Sequence, residues 1–180
     1  MQTGDGRQGM LMRVYDNAVT LERREFVYDE PIGTPWYLPW PISTQEPLSF
    51  EHRAAIAEVP QFPATAKATV SAGTGKDRYG TDGRQLTVHF PTVLRKNAGV
   101  RAFDYEVQAE YDWLDVRHVC ATKRVFSPKC YLGEEHVAGE TICIFGEKEL
   151  PADFAVRFAV RPCNCFGGKG NPIYTEMVKC

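Results

Sequence analysis

The feature that most constrains this chain is a series of short runs in which apolar and polar residues alternate. The alternation is clearest in residues 103–109 (Phe-Asp-Tyr-Glu-Val-Gln-Ala) and 154–160 (Phe-Ala-Val-Arg-Phe-Ala-Val). A period of two places apolar side chains on one face of a β-strand and polar side chains on the other. About seven such runs, separated by Gly, Pro and Asn over about 100 residues, predict an antiparallel β-sandwich. The predicted strands are 66–72, 85–90, 101–111, 116–126, 141–145, 154–161 and 172–178.

Composition and charge exclude several other classes of protein. A parallel α/β sheet needs crossover helices of about ten or more residues, and the sandwich region offers none. The net charge of −2 comes without a basic tail or stripe, so nucleic-acid binding has no electrostatic support. No apolar run approaches the ~20 residues of a membrane-spanning helix, and the polar N-terminus does not predict a signal peptide. We therefore expect a globular chain, whose 43% hydrophobic residues can build a core.

Residues 1–30 predict a β-hairpin that precedes the sandwich. Two β-rich runs, 10–15 and 18–26, flank Asp16 and Asn17, residue types that tolerate the positive φ of a tight turn. A lone hairpin is only marginally stable in water, so this one is expected to be part of a larger sheet. Its alternation predicts two faces, one with Val19, Leu21 and Arg23 and the other with Thr20, Glu22 and Arg24.

Residues 31–60 predict a connector with one short helix. The segment 31–41 holds four prolines in eleven residues, which favours an extended chain because proline fixes φ and lacks an amide donor. A helix is predicted over 49–58, where Ser49 can cap its start and Pro60 ends it. The predicted organisation is thus a hairpin (1–30), a connector (31–60) and a β-sandwich (61–180).

The cysteines and histidines show no metal-site spacing. The chain has six cysteines, and its only close pair, Cys163 and Cys165, lacks the two-residue gap of zinc sites. Cys120 and Cys143 lie within predicted strands and are expected to be small buried hydrophobes. The four histidines, His52, His89, His118 and His136, are scattered, so no metal or cofactor is predicted for this chain. An enzyme whose site joins distant histidines and cysteines stays an open alternative.

No catalytic motif stands out. The chain lacks a Gly-x-Ser-x-Gly elbow, a phosphate-binding loop and a dinucleotide fingerprint. The glycine-rich run 71–80 joins two β segments and precedes no helix, so it predicts a mobile loop rather than a phosphate cradle. Asp112 and Asp115 flank Trp113, a pattern found in sugar clefts and in solvated turns alike.

Aromatic residues are the candidate interface. Trp36, Tyr37 and Trp40 lie in the proline-rich connector, and Trp113 lies between two predicted strands. If exposed, such rings suit a protein or glycan ligand. Alternatively, the three rings of the connector pack this segment onto a neighbouring domain, and we favour this interpretation.

Two segments resemble known families. Residues 7–33, with Val14-Tyr15-Asp16 and Glu22-Arg23-Arg24, resemble the end of the catalytic domain in bacterial calcineurin-like metallophosphoesterases. Residues 36–41 resemble the proline-rich segment that leads from that domain to the C-terminal domain in this family. Residues 150–167 are similar to the penultimate strand of fibronectin type III and immunoglobulin-like modules. There, a Leu-Pro corner precedes an aromatic residue, here Phe154 where many members have tyrosine.

The first resemblance implies a non-catalytic role for this chain. Family members use two divalent metal ions, held by Asp-x-His, Gly-Asp-x-x-Asp, Gly-Asn-His and Gly-His-x-His motifs, to activate water. None of these motifs occurs here. The resemblance therefore implies an accessory C-terminal domain that packs on an upstream catalytic domain of the same polypeptide, or that shapes substrate or partner selection. The alternative is a carbohydrate- or cell-wall-binding β-sandwich.

Overall fold

The chain divides into two compact units, and each is described by itself. In a computed structural model, residues 8–39, 50–76, 80–128, 136–137 and 139–179 are described. One unit consists of residues 1–57 and 128–137, and the other of residues 58–127 and 138–180. Within the described ranges, no helix is both long enough and apolar enough to cross a membrane. The three-part organisation given above stays a prediction.

The N-terminal unit is a four-stranded antiparallel sheet with one helix. Its elements are β1 (Gln8–Val14), β2 (Ala18–Glu25), β3 (Glu30–Pro31), β4 (Trp36–Pro39) and helix α1 (Phe50–Ile56). Strand β2 is central: it pairs with β1 along its whole length and with β3 and β4 along its other side. The predicted hairpin is present, and the amide of Tyr15 donates to the carbonyl of Ala18 at 2.7 Å to close its turn.

One prediction for this unit needs correction. Neither Asp16 nor Asn17 adopts a positive φ; among the described non-glycine residues, that conformation occurs at Asp29, Leu114 and Asp115. The proline-rich connector was predicted to be extended, and its residues Trp36–Pro39 form the extended strand β4. Its position at the edge of the sheet explains why a strand that ends in proline is tolerated. The predicted helix is present as α1, while its predicted cap, Ser49, lies outside the described residues.

The second unit is an antiparallel β-sandwich. Its elements are β5 (Thr69–Lys76), β6 (Asp82–Pro91), the one-turn helix α2 (Arg95–Ala98), β7 (Asp104–Trp113), β8 (Val116–Phe126), β9 (Glu140–Gly146), β10 (Ala155–Cys163), β11 (Ile173–Tyr174) and β12 (Val178–Lys179). One sheet has the order β5-β6-β9. The other has the order β11-β10-β7-β8, with β12 also paired to β10. The predicted mainly-β sandwich is confirmed.

The strand order agrees in part with the seven-strand immunoglobulin pattern. β7, β10 and β11 share a sheet, as the third, sixth and seventh strands do in that pattern, whereas β8, the fourth strand, pairs with β7 rather than joining β5, β6 and β9. The predicted last strand is divided, because Thr175 leaves the ladder: its amide donates to the carbonyl of Phe158, and its hydroxyl accepts from the Phe158 amide, each at 3.0 Å.

The core lies between the two sheets and is built from the inward positions of the alternating runs. Strand β6 contributes Leu86, Val88 and Phe90, each separated by one outward residue. Tyr105 is fully buried, and its hydroxyl accepts a 2.7 Å hydrogen bond from the Val93 amide. The other buried members are Ala68, Val93, Ala102, Val107, Ala109, Cys143, Phe145, Leu150, Val156, Phe158 and Val160.

Candidate functional site

The structure separates the aromatic residues that the sequence grouped together. Trp36 and Tyr37 are neighbours in β4, so their rings project from opposite faces of the N-terminal sheet. Both are exposed, and the guanidinium of Arg53 lies 5.4 Å from the centre of the Trp36 ring. Trp40 lies outside the described residues. Trp36 and Tyr37 therefore belong to different surfaces of the sheet.

Trp36 belongs instead to a continuous apolar face of the N-terminal sheet. The register pairs Met12 with Leu21 and Leu21 with Trp36, so the three side chains form one row across β1, β2 and β4. Met12 is 61% exposed and Trp36 is 51% exposed. We call this surface the apolar face; its apolar members are Met10, Met12, Val14, Val19, Leu21, Trp36 and Leu38. Arg23, which pairs with Met10, lies on the same face.

The opposite face of the same sheet is polar and carries ion pairs. The carboxylate of Glu22 contacts the guanidinium groups of Arg13, at 3.1 Å, and Arg24. Arg24 also reaches the carboxylate of Asp29 at 2.8 Å. Hydrogen bonds from Arg13, and then from Arg24, lower the pKa of Glu22 below its usual value. Among the described residues, this face therefore carries paired charges, in contrast to the apolar face.

Trp113 is presented at the tip of the β7–β8 hairpin. Leu114 and Asp115 form the two-residue turn, both with positive φ, as in type I′ hairpins. Asp112 accepts from the guanidinium of Arg117 at 2.9 and 3.2 Å, and this contact lowers the pKa of Asp112. The Trp113 ring is 53% exposed. The segment is thus a solvated turn, and Asp112 is held by an arginine rather than by a second acid.

Three histidines make defined side-chain contacts. The ring of His118 lies 5.4 Å from that of Tyr111, in a stacked arrangement. In the N-terminal unit, His136 stacks on Tyr28 with 3.6 Å between ring centres and contacts the carboxylate of Glu30 at 3.3 Å. The third, His89, connects two other polar side chains and forms the most chemically defined arrangement in the described part of the chain.

Ser71, His89 and Glu140 form a hydrogen-bonded row on the outer face of the β5-β6-β9 sheet. Ser71 Oγ lies 3.0 Å from His89 Nε2, and His89 Nδ1 lies 3.1 Å from Glu140 Oε2. The row therefore has the order hydroxyl, imidazole, carboxylate. A nucleophile within reach of a base, which a third group orients, is the geometric signature of an activated serine. We call this arrangement the Ser71 row.

The sheet register places the Ser71 row. Thr69 of β5 and Ile142 of β9 pair directly with His89 of β6. Ser71 lies two residues after Thr69, and Glu140 lies two residues before Ile142, so the two flank His89 from the two neighbouring strands. The row thus crosses three strands diagonally, at spacings that longer side chains can bridge. All three residues point outward because Val88 and Phe90, which flank His89, point into the core.

Sequence reasoning missed the Ser71 row because its members are 18 and 51 residues apart and fit no local motif. The alternation of β6 was enough to place His89 on the outer face. It could not identify which residues of β5 and β9 lie beside it.

A cleft of about 530 Å³ opens at the β5–β6 end of the same sheet. The glycine-rich run 71–80, which was predicted to be a mobile loop, is a strand as far as Lys76, where β5 ends, and β6 begins at Asp82. Residues 77–79 lie outside the described part. Lys123 crosses to this region and contacts the Glu149 carboxylate at 2.7 Å. Lysines, an arginine and three acids line the cleft together, so its charge favours neither anions nor cations strongly.

The described thiols are free. Cys143 is buried as predicted, and burial raises its pKa to about 12, which makes it unreactive. Cys120 was predicted to be buried but is exposed. It is the extra residue of a β-bulge in β8, because Ala109 pairs with Ala121 and Glu110 pairs with Val119. Across the described ranges, no group of three or more His, Cys, Asp or Glu residues could hold a metal ion.

No family model matches the sequence, and neither a curated protein nor a solved structure matches it. Function is therefore argued from the surfaces and side-chain arrangements described above.

Proposed function

We propose that this chain is a non-catalytic accessory region of a calcineurin-like metallophosphoesterase, and that its N-terminal sheet docks on the catalytic domain through the apolar face. The observation that carries the proposal is the exposure of that face on a four-stranded sheet. Met12 and Trp36 stand in the middle of it and are more than half exposed. A sheet normally buries one face against a second layer.

Burial of this face would stabilise the docked state substantially. Fully burying a side chain such as Met, Val or Leu contributes about 1.5–3 kcal/mol relative to leaving it exposed. Several members of the face are half-exposed or more, among them Met10, Met12 and Val14. A sheet or helix layer of a neighbouring domain is a suitable occupant, because it can cover all three strands at once.

The resemblance of residues 7–33 to the end of the metallophosphoesterase catalytic domain identifies the proposed occupant. In that interpretation β1 and β2 extend the upstream domain, and the two divalent metal ions belong to that domain. The β-sandwich then presents its loops and its 530 Å³ cleft for substrate or partner selection.

The coding DNA upstream of the Met1 codon tests this proposal directly. We expect the reading frame to continue through some two hundred or more codons that include Asp-x-His and Gly-Asn-His. The continuous protein should hydrolyse p-nitrophenyl phosphate with Mn²⁺, whereas the present chain should not. A continuous frame without these motifs, or an in-frame stop with a ribosome-binding site before Met1, would overturn the proposal.

Variants of the apolar face then test the docking surface. In the continuous protein, Met12→Lys should weaken the association of the sheet with the catalytic domain. Calorimetry should then show two separate unfolding transitions, and the N-terminal sheet should unfold at a lower temperature than in the unaltered protein. Thr20→Lys, on the polar face, is the matched control because it adds the same charge to the same sheet. Equal effects of the two variants would contradict docking through the apolar face.

The second candidate is a carbohydrate- or cell-wall-binding module, favoured by Trp113. Its ring is half-exposed at the tip of a hairpin and lies 6.0 Å from the ring of His118, so it is supported from one side. Exposed rings of this kind stack on sugars. A pull-down with insoluble glycans should lose retention in Trp113→Ala and Trp36→Ala, and retention that does not change would exclude this function.

A further inference from the structure

We propose that the Ser71 row is a nucleophilic site that attacks carboxylic esters with an apolar acyl group. This activity lies in the β-sandwich and is independent of the docking role proposed above, which is non-catalytic with respect to phosphoester hydrolysis. It follows from three side chains on three strands that meet in the order hydroxyl, imidazole, carboxylate, at 3.0 and 3.1 Å.

Each member has a distinct role in this order. Ser71 supplies the attacking oxygen, His89 Nε2 accepts its proton, and Glu140 holds the imidazole through Nδ1. The contact with Glu140 fixes the tautomer that carries hydrogen on Nδ1 and leaves Nε2 free to act as a base. Outward-facing groups on a paired sheet keep their spacing, because the backbone ladder fixes the strands.

The position of β5 makes Ser71 accessible to a substrate. Ser71 is exposed, and among the described strands β5 pairs only with β6, so it forms an edge of its sheet. An edge strand carries backbone amides that point away from its sheet and have no partner strand. In this proposal, outward-pointing amides of β5 supply the donors for the negative charge that develops on the ester carbonyl oxygen.

The neighbouring strand suggests the acyl group. Ile142 lies directly opposite His89, and Ile144 lies two residues further along β9 on the same outer face; both are exposed. An apolar acyl chain attached to Ser71 can lie across β6 toward these side chains. We therefore expect esters of butyric or longer acids to react faster than acetate esters.

The reaction balances with water as the second substrate. Ser71 Oγ forms a bond to the carbonyl carbon, its proton passes to His89 Nε2, and the leaving alcohol takes that proton as its bond to carbon breaks. Water then attacks the acyl-serine, with His89 again accepting and returning a proton. The products are the carboxylic acid and free Ser71. Because the surface is open to solvent, we expect a reactive serine with slow turnover rather than a fast hydrolase.

A fluorophosphonate probe tests the site on the full chain. The probe's phosphorus bonds to a serine oxygen and fluoride leaves, so the adduct marks the reactive residue. We expect peptide mass spectrometry to find the adduct on Ser71, and not on Ser43, Ser49 or Ser127. His89→Gln should slow labelling by about 10²-fold or more, because it removes the general base. Glu140→Gln should slow it less.

Two controls keep the result interpretable. Thr69→Val changes a residue on the same strand and the same outer face, two positions before Ser71, and should label at the unaltered rate. Urea-unfolded protein should not label, since the row requires three aligned strands. Circular dichroism and the melting temperature of each variant should match those of the parent chain, since the substituted side chains do not belong to the core.

A second readout addresses the ester chemistry. p-Nitrophenyl butyrate should give a burst of up to one equivalent of nitrophenolate and a butyryl adduct on Ser71, both absent from Ser71→Ala. Labelling of Ser71 at the rate of the unfolded chain, or equal labelling in His89→Gln, would overturn the proposal. A phosphatase result for the continuous protein bears only on the accessory role and leaves this test unaffected.

Discussion

The two units of this chain differ in the exposure of the apolar faces of their sheets. In the sandwich, two sheets cover each other's apolar faces. Phe145 and Phe158 are fully buried there, and their ring centres lie 4.9 Å apart. In the N-terminal unit a single sheet has an equally regular alternation, but its apolar face is exposed. Alternation therefore specifies a strand and its faces, and a second layer decides whether those faces become a core.

The outer surface of the sandwich sharpens this difference. Its five-stranded sheet carries buried or partly buried acids, each paired with a cation. Glu110 contacts Arg157 at 3.0 Å, and Glu106 contacts Lys169 at 2.6 Å. Such a face needs no further partner. On the apolar face of the N-terminal sheet, Met12 and Trp36 are instead more than half exposed, which is why we assign docking to that unit.

The largest expected effect comes from opening the sandwich core. Phe158→Ala should lower the free energy of unfolding by about 3–5 kcal/mol, because it removes a fully buried aromatic side chain. Urea unfolding followed by far-ultraviolet circular dichroism measures this change. A loss below about 1 kcal/mol would mean that the sandwich interior is not packed as described.

A smaller effect is expected at the buried hydroxyl. Tyr105→Phe keeps the ring but leaves the Val93 amide without its 2.7 Å acceptor, which should cost about 1–3 kcal/mol. The same urea titration gives the value, with Phe90→Leu as a control for simple loss of aromatic packing. If Tyr105→Phe were neutral, a water molecule or another acceptor would have to satisfy that amide.

The N-terminal sheet should respond to pH through Glu22. Its pKa is lowered in the folded state, so the stability that it contributes is present above its ordinary value of 4.5 and is lost as pH falls through the folded pKa. An NMR titration of the Glu22 side chain should give a midpoint below 4.5, and Arg13→Gln should raise it. A midpoint at or above 4.5 in the unaltered chain would show that the ion pairs do not form.

The smallest effect on stability is expected on the apolar face. Met12→Ser should change the free energy of unfolding of the present chain by no more than about 0.5 kcal/mol, because the side chain is 61% exposed. A destabilisation of several kcal/mol, measured in the same urea experiment, would show that this face is already covered and would remove the contrast between the units.

Much of the fold could be predicted from local pattern. Alternation predicted the hairpin and the strands of the sandwich, and helix signals predicted α1, because these depend on neighbouring residues. The pattern also placed Cys143 in the core. It misplaced Cys120, since this residue is the bulge of β8, and the position of a bulge depends on the pairing between two strands. It also missed β4, whose pairing with β2 outweighs its proline content.

For the candidate sites, too, local pattern predicted some features and tertiary structure decided the others. Alternation by itself determined that Val19 and Leu21 share a face of the hairpin and that His89 points away from the core. Only the tertiary structure decided that Trp36 extends that apolar face and that Ser71 and Glu140 lie on either side of His89. The reason is that a strand's two faces are local properties of its chain, whereas its neighbours and their register are set by packing between segments far apart in sequence.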